Sequence, residues 1–160
     1  ELIVNAYATV RKETTMKLIV VPRHPERFDK VASKIEVWSQ ENNVAYHRFS
    51  RDGWEGEWEI MVIDCIGELL SMYAIADIVV LGGSFVPVGG HNPLEPATFH
   101  VRLISGPSVF NQTELFSHVS NAHIVTKEML KEYLSINTHL PTASVIRKGE
   151  IDQLVAEIYG

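Results

Sequence analysis

Ile78-Val79-Val80-Leu81-Gly82-Gly83-Ser84-Phe85-Val86-Pro87-Val88-Gly89-Gly90-His91-Asn92-Pro93-Leu94-Glu95-Pro96-Ala97 decides how this chain is read. Four apolar residues give way to a glycine-rich loop, and the loop leads into a helix start. Its glycines can bring bare backbone N–H groups close to a ligand. Asn92 suits an N-cap, Pro93 the first helical position and Glu95 the third. The loop therefore ends at a helix N-terminus whose unpaired donors and positive dipole end favour an anion. A strand, a phosphate-binding loop and a helix in succession are predicted.

The same alternation extends in both directions. Upstream, Lys17-Leu18-Ile19-Val20-Val21-Pro22 is a short β-branched run stopped by proline, as a buried parallel strand would be. Pro25 and Glu26 open a helix with Phe28, Val31, Ile35 and Trp38 at helical spacing, closed by Asn42-Asn43. Residues 44–49 and 59–63 read as strands around the acidic, loop-like stretch 50–58, and 67–76 as a helix feeding the strand 77–81. Downstream, 102–105 reads as a strand and Asn111-Gln112-Thr113-Glu114 as a second Asx-capped helix start. A strand at 122–125 and helices at 127–134 and 149–159 complete the reading. Strands alternating with helices imply an α/β, doubly wound parallel sheet whose ligand sits beyond the carboxyl ends of the strands.

Composition bounds the function. The 160 residues are 46% hydrophobic and 21% charged, enough for one ordinary core and unlike a disordered chain. The net charge of −6, with 14 scattered Lys and Arg, offers no basic stripe, so nucleic acid is not expected as a partner. One cysteine, Cys65, excludes an internal disulfide and gives no zinc pattern. No apolar run suggests a membrane span. The chain opens on Glu1 and on a helix with no strand before it, which reads as a piece of a longer protein.

Four rim loops carry the candidate chemistry. In Pro22-Arg23-His24-Pro25-Glu26-Arg27 the Arg23 guanidinium can fork onto a phosphate or pair locally with Glu26. Ile66-Gly67-Glu68 can meet a nucleobase edge or serve as ordinary helix capping. Gly83, Ser84 and Gly90 lie in the glycine loop. Glu95 either caps Asn92 or accepts the two hydroxyls of a ribose. His24 and His91 carry no catalytic assignment. The chain holds no Walker A pattern, no G-x-G-x-x-G, no G-x-S-x-G and no Asp-x-Asp pair, which weakens kinase, dehydrogenase, hydrolase and metal-diphosphate readings. No metal site is expected.

At Leu18-Ile19-Val20-Val21-Pro22-Arg23-His24-Pro25-Glu26-Arg27-Phe28, Gly67-Glu68-Leu69, Tyr73-Ala74-Ile75-Ala76-Asp77, Gly82-Gly83-Ser84, Gly90-His91-Asn92-Pro93-Leu94-Glu95-Pro96-Ala97, Gly106-Pro107 and Phe110-Asn111 the chain resembles the 3-deoxy-D-manno-octulosonic acid (Kdo) transferases of lipid A and lipopolysaccharide biosynthesis. These are GT-B glycosyltransferases of Gram-negative bacteria. The resemblance implies that residues 1–160 are a single C-terminal, Rossmann-like domain that binds CMP-Kdo. It selects Pro22, Arg23, Ile66, Gly67, Glu68, Asn92, Pro93, Leu94 and Glu95 as nucleotide contacts. The family pattern has Met where Ile66 stands. The catalytic base and the lipid A acceptor site are implied to lie in an N-terminal domain absent from this chain. No catalytic residue is therefore assigned here, and the chain alone is expected to transfer no Kdo. The implied parent enzyme is membrane-associated, at the cytoplasmic face of the inner membrane, and a donor with one phosphate has less need of a metal. The alternatives are another GT-B enzyme, such as a UDP-sugar transferase or epimerase, and a noncatalytic nucleotide-binding module.

Overall fold

The computed structural model describes residues 1–135 and 139–146. In chain order its elements are α1 (Leu2–Val10), β1 (Leu18–Val20), a 3-10 turn (Pro25–Arg27), α2 (Phe28–Glu41), β2 (Tyr46–Arg48), α3 (Phe49–Asp52), β3 (Ile60–Val62) and α4 (Leu69–Ile75). There follow β4 (Ile78–Val80), α5 (Leu94–Ala97), β5 (Arg102–Ser105), α6 (Thr113–Phe116), β6 (Val119–Ser120), β7 (Ala122–Ile124), α7 (Leu130–Ser135) and β8 (Ser144–Val145). They divide into two compact units, Tyr7–Met72 and Glu1–Ala6 with Tyr73 onward.

In the unit Tyr7–Met72 three parallel strands lie in the order β1, β3, β2, with Leu18 and Tyr46 both opposite Ile60. The central strand is apolar on both faces, and Ile60, Met61 and Val62 are fully buried, as a covered parallel strand requires. Helix α2 turns Ala32, Ile35 and Ser39 inward, with Phe28, Val31 and Trp38 half-buried beside them. Small residues at 32 and 39 let the helix approach closely, which the large-residue periodicity of the sequence did not disclose. Buried Tyr7 ties the unit together by donating to the carbonyls of Met16 and Glu59, both at 3.1 Å.

In the other unit β4, β5 and β7 form a parallel sheet, Ile78 opposite Arg102 and Leu103 opposite Ala122. Leu81, Ala97, Leu103, Val119 and Ala143 make its core, with Leu94 and Phe116 packed against it. The parallel α/β class read from the sequence is what forms, with one three-stranded parallel sheet in each unit.

Several elements differ from expectation. The antiparallel pair β6 and β8 was not predicted, because strands of two residues carry no periodicity. Phe49 opens helix α3 instead of ending a strand, since the Asp52 carboxylate accepts the Arg48 N–H at 2.8 Å and closes the turn. Asn111 does not cap α6: Gln112 stands at the cap, with no side-chain bond. Helix α7 starts at Leu130, later than the predicted 127. The helix predicted at 149–159 lies outside the described residues.

Candidate functional site

Two predicted loops lie in the unit Tyr7–Met72. After β1, Pro22 is half-buried and Arg23 is exposed. The chain then closes at once into the 3-10 turn, where the Arg27 N–H bonds the His24 carbonyl at 2.9 Å. Glu26 approaches His24, with Nδ1 at 3.9 Å from Oε1. Among the described residues Arg23 makes no ion pair, so the local pairing with Glu26 weighed from sequence does not form and its fork of donors faces solvent. After β3, Gly67 takes φ +94°, a conformation that disfavours any side chain. The Glu68 carbonyl accepts the Met72 N–H at 3.0 Å and so starts α4. Glu68 precedes α4, whose first turn holds no acidic residue, and Ile66 is presented outward at 79% exposure.

Between these loops lies a charge cluster that the sequence did not reveal. The Asp64 side chain, only 2% exposed, accepts from Arg48 Nε, from the Ser50 N–H at 2.9 Å and from Ser50 Oγ at 2.5 Å. Arg48 Nη2 also donates to Asp29 Oδ1 at 2.5 Å. Burial works against the Asp64 charge, but the donors from Ser50 and Arg48 outweigh it and hold the carboxyl below its ordinary range.

In the other unit the glycine loop follows β4. Gly83 and Gly90 take φ of +71° and +72°. Its glycines serve close packing as much as ligand access. A Cβ on Gly89, at φ +93°, would lie 2.3 Å from Asn111 Nδ2, and one on Gly106 would lie 2.3 Å from the Ser84 carbonyl oxygen. Asn111 thus packs on the loop, which explains why it is not a cap. Ser84 is fully buried; its hydroxyl donates to the Leu81 carbonyl and accepts from the Gly106 N–H, both at 2.7 Å. That side chain shapes the loop from within. His91 lies over Gly82, its Cε1 3.3 Å from where a Cβ would be.

At the end of the loop Asn92 Oδ1 accepts the Leu94 N–H at 2.9 Å, but Pro93, and not Asn92 as predicted, stands at the cap of α5, with no side-chain bond of its own. Its Nδ2 donates to Glu95 Oε1 at 3.5 Å. Pro93, Pro96 and Ala97 are buried and Leu94 packs on the core, which turns Glu95 to solvent. Helix α5 is only 4 residues long, so the expected macrodipole amounts to one turn of peptide dipoles. Anion attraction here falls on individual N–H groups. Among the described residues no group of three or more His, Cys, Asp and Glu could hold a metal ion. No described helix is long and apolar enough to cross a membrane.

Parallel sheets with loops leaving the carboxyl ends of their strands define an α/β class, of the kind that forms the C-terminal half of GT-B glycosyltransferases. The crystal structure of the C-terminal CMP-Kdo binding domain of WaaA from Acinetobacter baumannii superposes with a TM-score of 0.70 at 31% identity, over 85% of this chain and 70% of that one. The 3-deoxy-D-manno-octulosonic acid transferase of Haemophilus influenzae is 38% identical over 117 residues, 72% of this chain and 27% of that protein. Its namesake from Aquifex aeolicus is 29% identical over 154 residues, 88% of this chain and 40% of that protein. No protein-family model matches the chain. The chain belongs to the 3-deoxy-D-manno-octulosonic acid transferase family, and it spans about a quarter of the length of the Haemophilus relative.

Proposed function

We propose that this chain binds CMP-Kdo and is the donor half of an enzyme that transfers Kdo to a lipid A precursor at the cytoplasmic face of the inner membrane. The observation that carries the reading is the likeness to the Acinetobacter CMP-Kdo binding domain at 31% identity over 85% of the chain. In this reading the Arg23 fork, left unpaired among the described residues, meets the phosphate. Ile66-Gly67-Glu68 meet the base, the exposed Ile66 side chain covering its face. Glu95 accepts the ribose hydroxyls, and Pro22, Asn92, Pro93 and Leu94 set the backbone that presents these groups. Gly83 and Gly90, both at positive φ, hold the loop backbone in the shape that meets the donor.

The transfer breaks the bond between the Kdo anomeric carbon and a phosphate oxygen, and the electron pair leaves with CMP. The acceptor hydroxyl oxygen bonds that carbon, and its proton goes to a base supplied by the rest of the longer enzyme. Charge grows on the phosphate in the transition state, where Arg23 and the loop N–H groups stabilise it. Binding is proposed to need no metal and no further cofactor. Calorimetric titration with CMP, UMP and UDP, each with Mg²⁺ and with chelator, tests this. Preference for CMP in both buffers is expected; preference for UDP or an absolute metal requirement would overturn it.

A further inference from the structure

The Arg48 cluster joins elements that flank both candidate nucleotide loops of the unit Tyr7–Met72. Asp29 stands in the first turn of α2, directly after the 3-10 turn that closes the Arg23 segment. Asp64 ends the apolar strand residues and opens the loop that carries Ile66-Gly67-Glu68. Arg48 lies at the end of β2 and reaches both, donating through Nε to Asp64 and through Nη2 to Asp29. Its backbone is held as well, by the Asp52 carboxylate on its N–H at 2.8 Å. A planar guanidinium with two fixed partners is a spacer of defined length. The Arg48–Asp64 contact is the buried half of this bridge. The Arg48–Asp29 contact is the exposed half, with the Asp29 side chain 88% exposed. An exposed pair adds little to fold stability. Its consequence is geometric: it ties the start of α2, and with it the Arg23 loop, to the β2 and β3 ends.

We infer that Arg48 is a positioning residue for nucleotide binding, fixing the Arg23 loop against the loop 65–68 through its bridge from Asp64 to Asp29. The inference rests on the CMP reading above, and charge makes it sharp. Asp29 is an anion near a segment assigned to phosphate, so removing it would by electrostatics alone strengthen CMP binding. Positioning predicts the opposite sign.

The decisive variant is Asp29→Ala in the 160-residue chain, because Arg48→Met would strand the buried Asp64 charge and endanger folding. Affinities for CMP and for cytidine are measured by calorimetry, with Asp29→Glu as the conservative control and Arg23→Ala as a second background. CMP affinity is expected to fall about three- to tenfold in Asp29→Ala, the range for coupled neighbours. Cytidine affinity should be unchanged, Asp29→Glu should recover most of the loss, and the loss should vanish in the Arg23→Ala background. Unchanged or tighter CMP binding would overturn the inference. An equal loss for CMP and cytidine that persists without Arg23 would also overturn it, since that marks general damage to the unit. Failure of the wild type to bind CMP would remove the nucleotide reading itself, so the two failures are told apart by the first titration.

Discussion

The Ser84 hydroxyl bridges the Leu81 carbonyl and the Gly106 N–H inside a fully buried site. Ser84→Ala leaves that N–H without a partner, so thermal melts should show a loss of about 1–3 kcal/mol. Wild-type stability in this variant would mean the bond is not made. Glu95 separates two roles by chemistry. If its carboxylate holds the ribose hydroxyls, Glu95→Gln weakens CMP by about 1–2 kcal/mol with little change in melting, because Gln still serves in a capping box. The analogue 2′,3′-dideoxy-CMP should then bind wild type and variant equally; a parallel loss for both ligands would assign Glu95 to loop shape. Asp64 sets a pH dependence. Its native carboxyl lies below the ordinary value of 3.8, so its stabilising contribution is in full above that value and is lost as pH falls through the lower native one. Melting temperature should fall down an acid series, and Asp64→Asn should flatten that fall. An acid limb unchanged by the substitution would place the titration elsewhere.

Elements show which parts of the site a sequence can disclose. The Asn92 bond to the Leu94 N–H was legible because an Asn side chain reaches the backbone two residues on, although the cap of α5 falls one residue later, at Pro93. The Arg48–Asp64 bridge spans 16 positions and joins the ends of neighbouring strands, and the Ser84–Gly106 bond spans 22. Only the folded register brings such pairs together, so no local pattern announces them. The glycine loop was read correctly as close approach but credited wholly to the ligand. Much of that approach is to Asn111 and to the residues around Gly106. Gly89→Ala should therefore cost stability, about 1–2 kcal/mol from the left-handed backbone alone and more from displacing Asn111. Asn111→Gly in the same chain should restore the contact part and leave the backbone part. A Gly89→Ala protein as stable as wild type, by denaturant unfolding, would contradict this packing.

For the whole molecule the chain forms two compact α/β units, each with a three-stranded parallel sheet and its own rim loops. Parallel α/β class and loop positions followed from alternation and strand-end logic, whereas the proposed ligand came from strings such as Pro-Arg-His-Pro-Glu-Arg and Asn-Pro-Leu-Glu-Pro, whose meaning no general rule supplies. Amide-resolved NMR during titration with CMP in the presence of chelator tests the proposed ligand assignment most directly. The account predicts shifts concentrated at the amides of Arg23, Ile66, Gly67, Glu68, Gly83, Gly90, Leu94 and Glu95. Saturable shifts confined to other residues, or none at CMP concentrations that perturb an authentic CMP-Kdo binding domain, would contradict it.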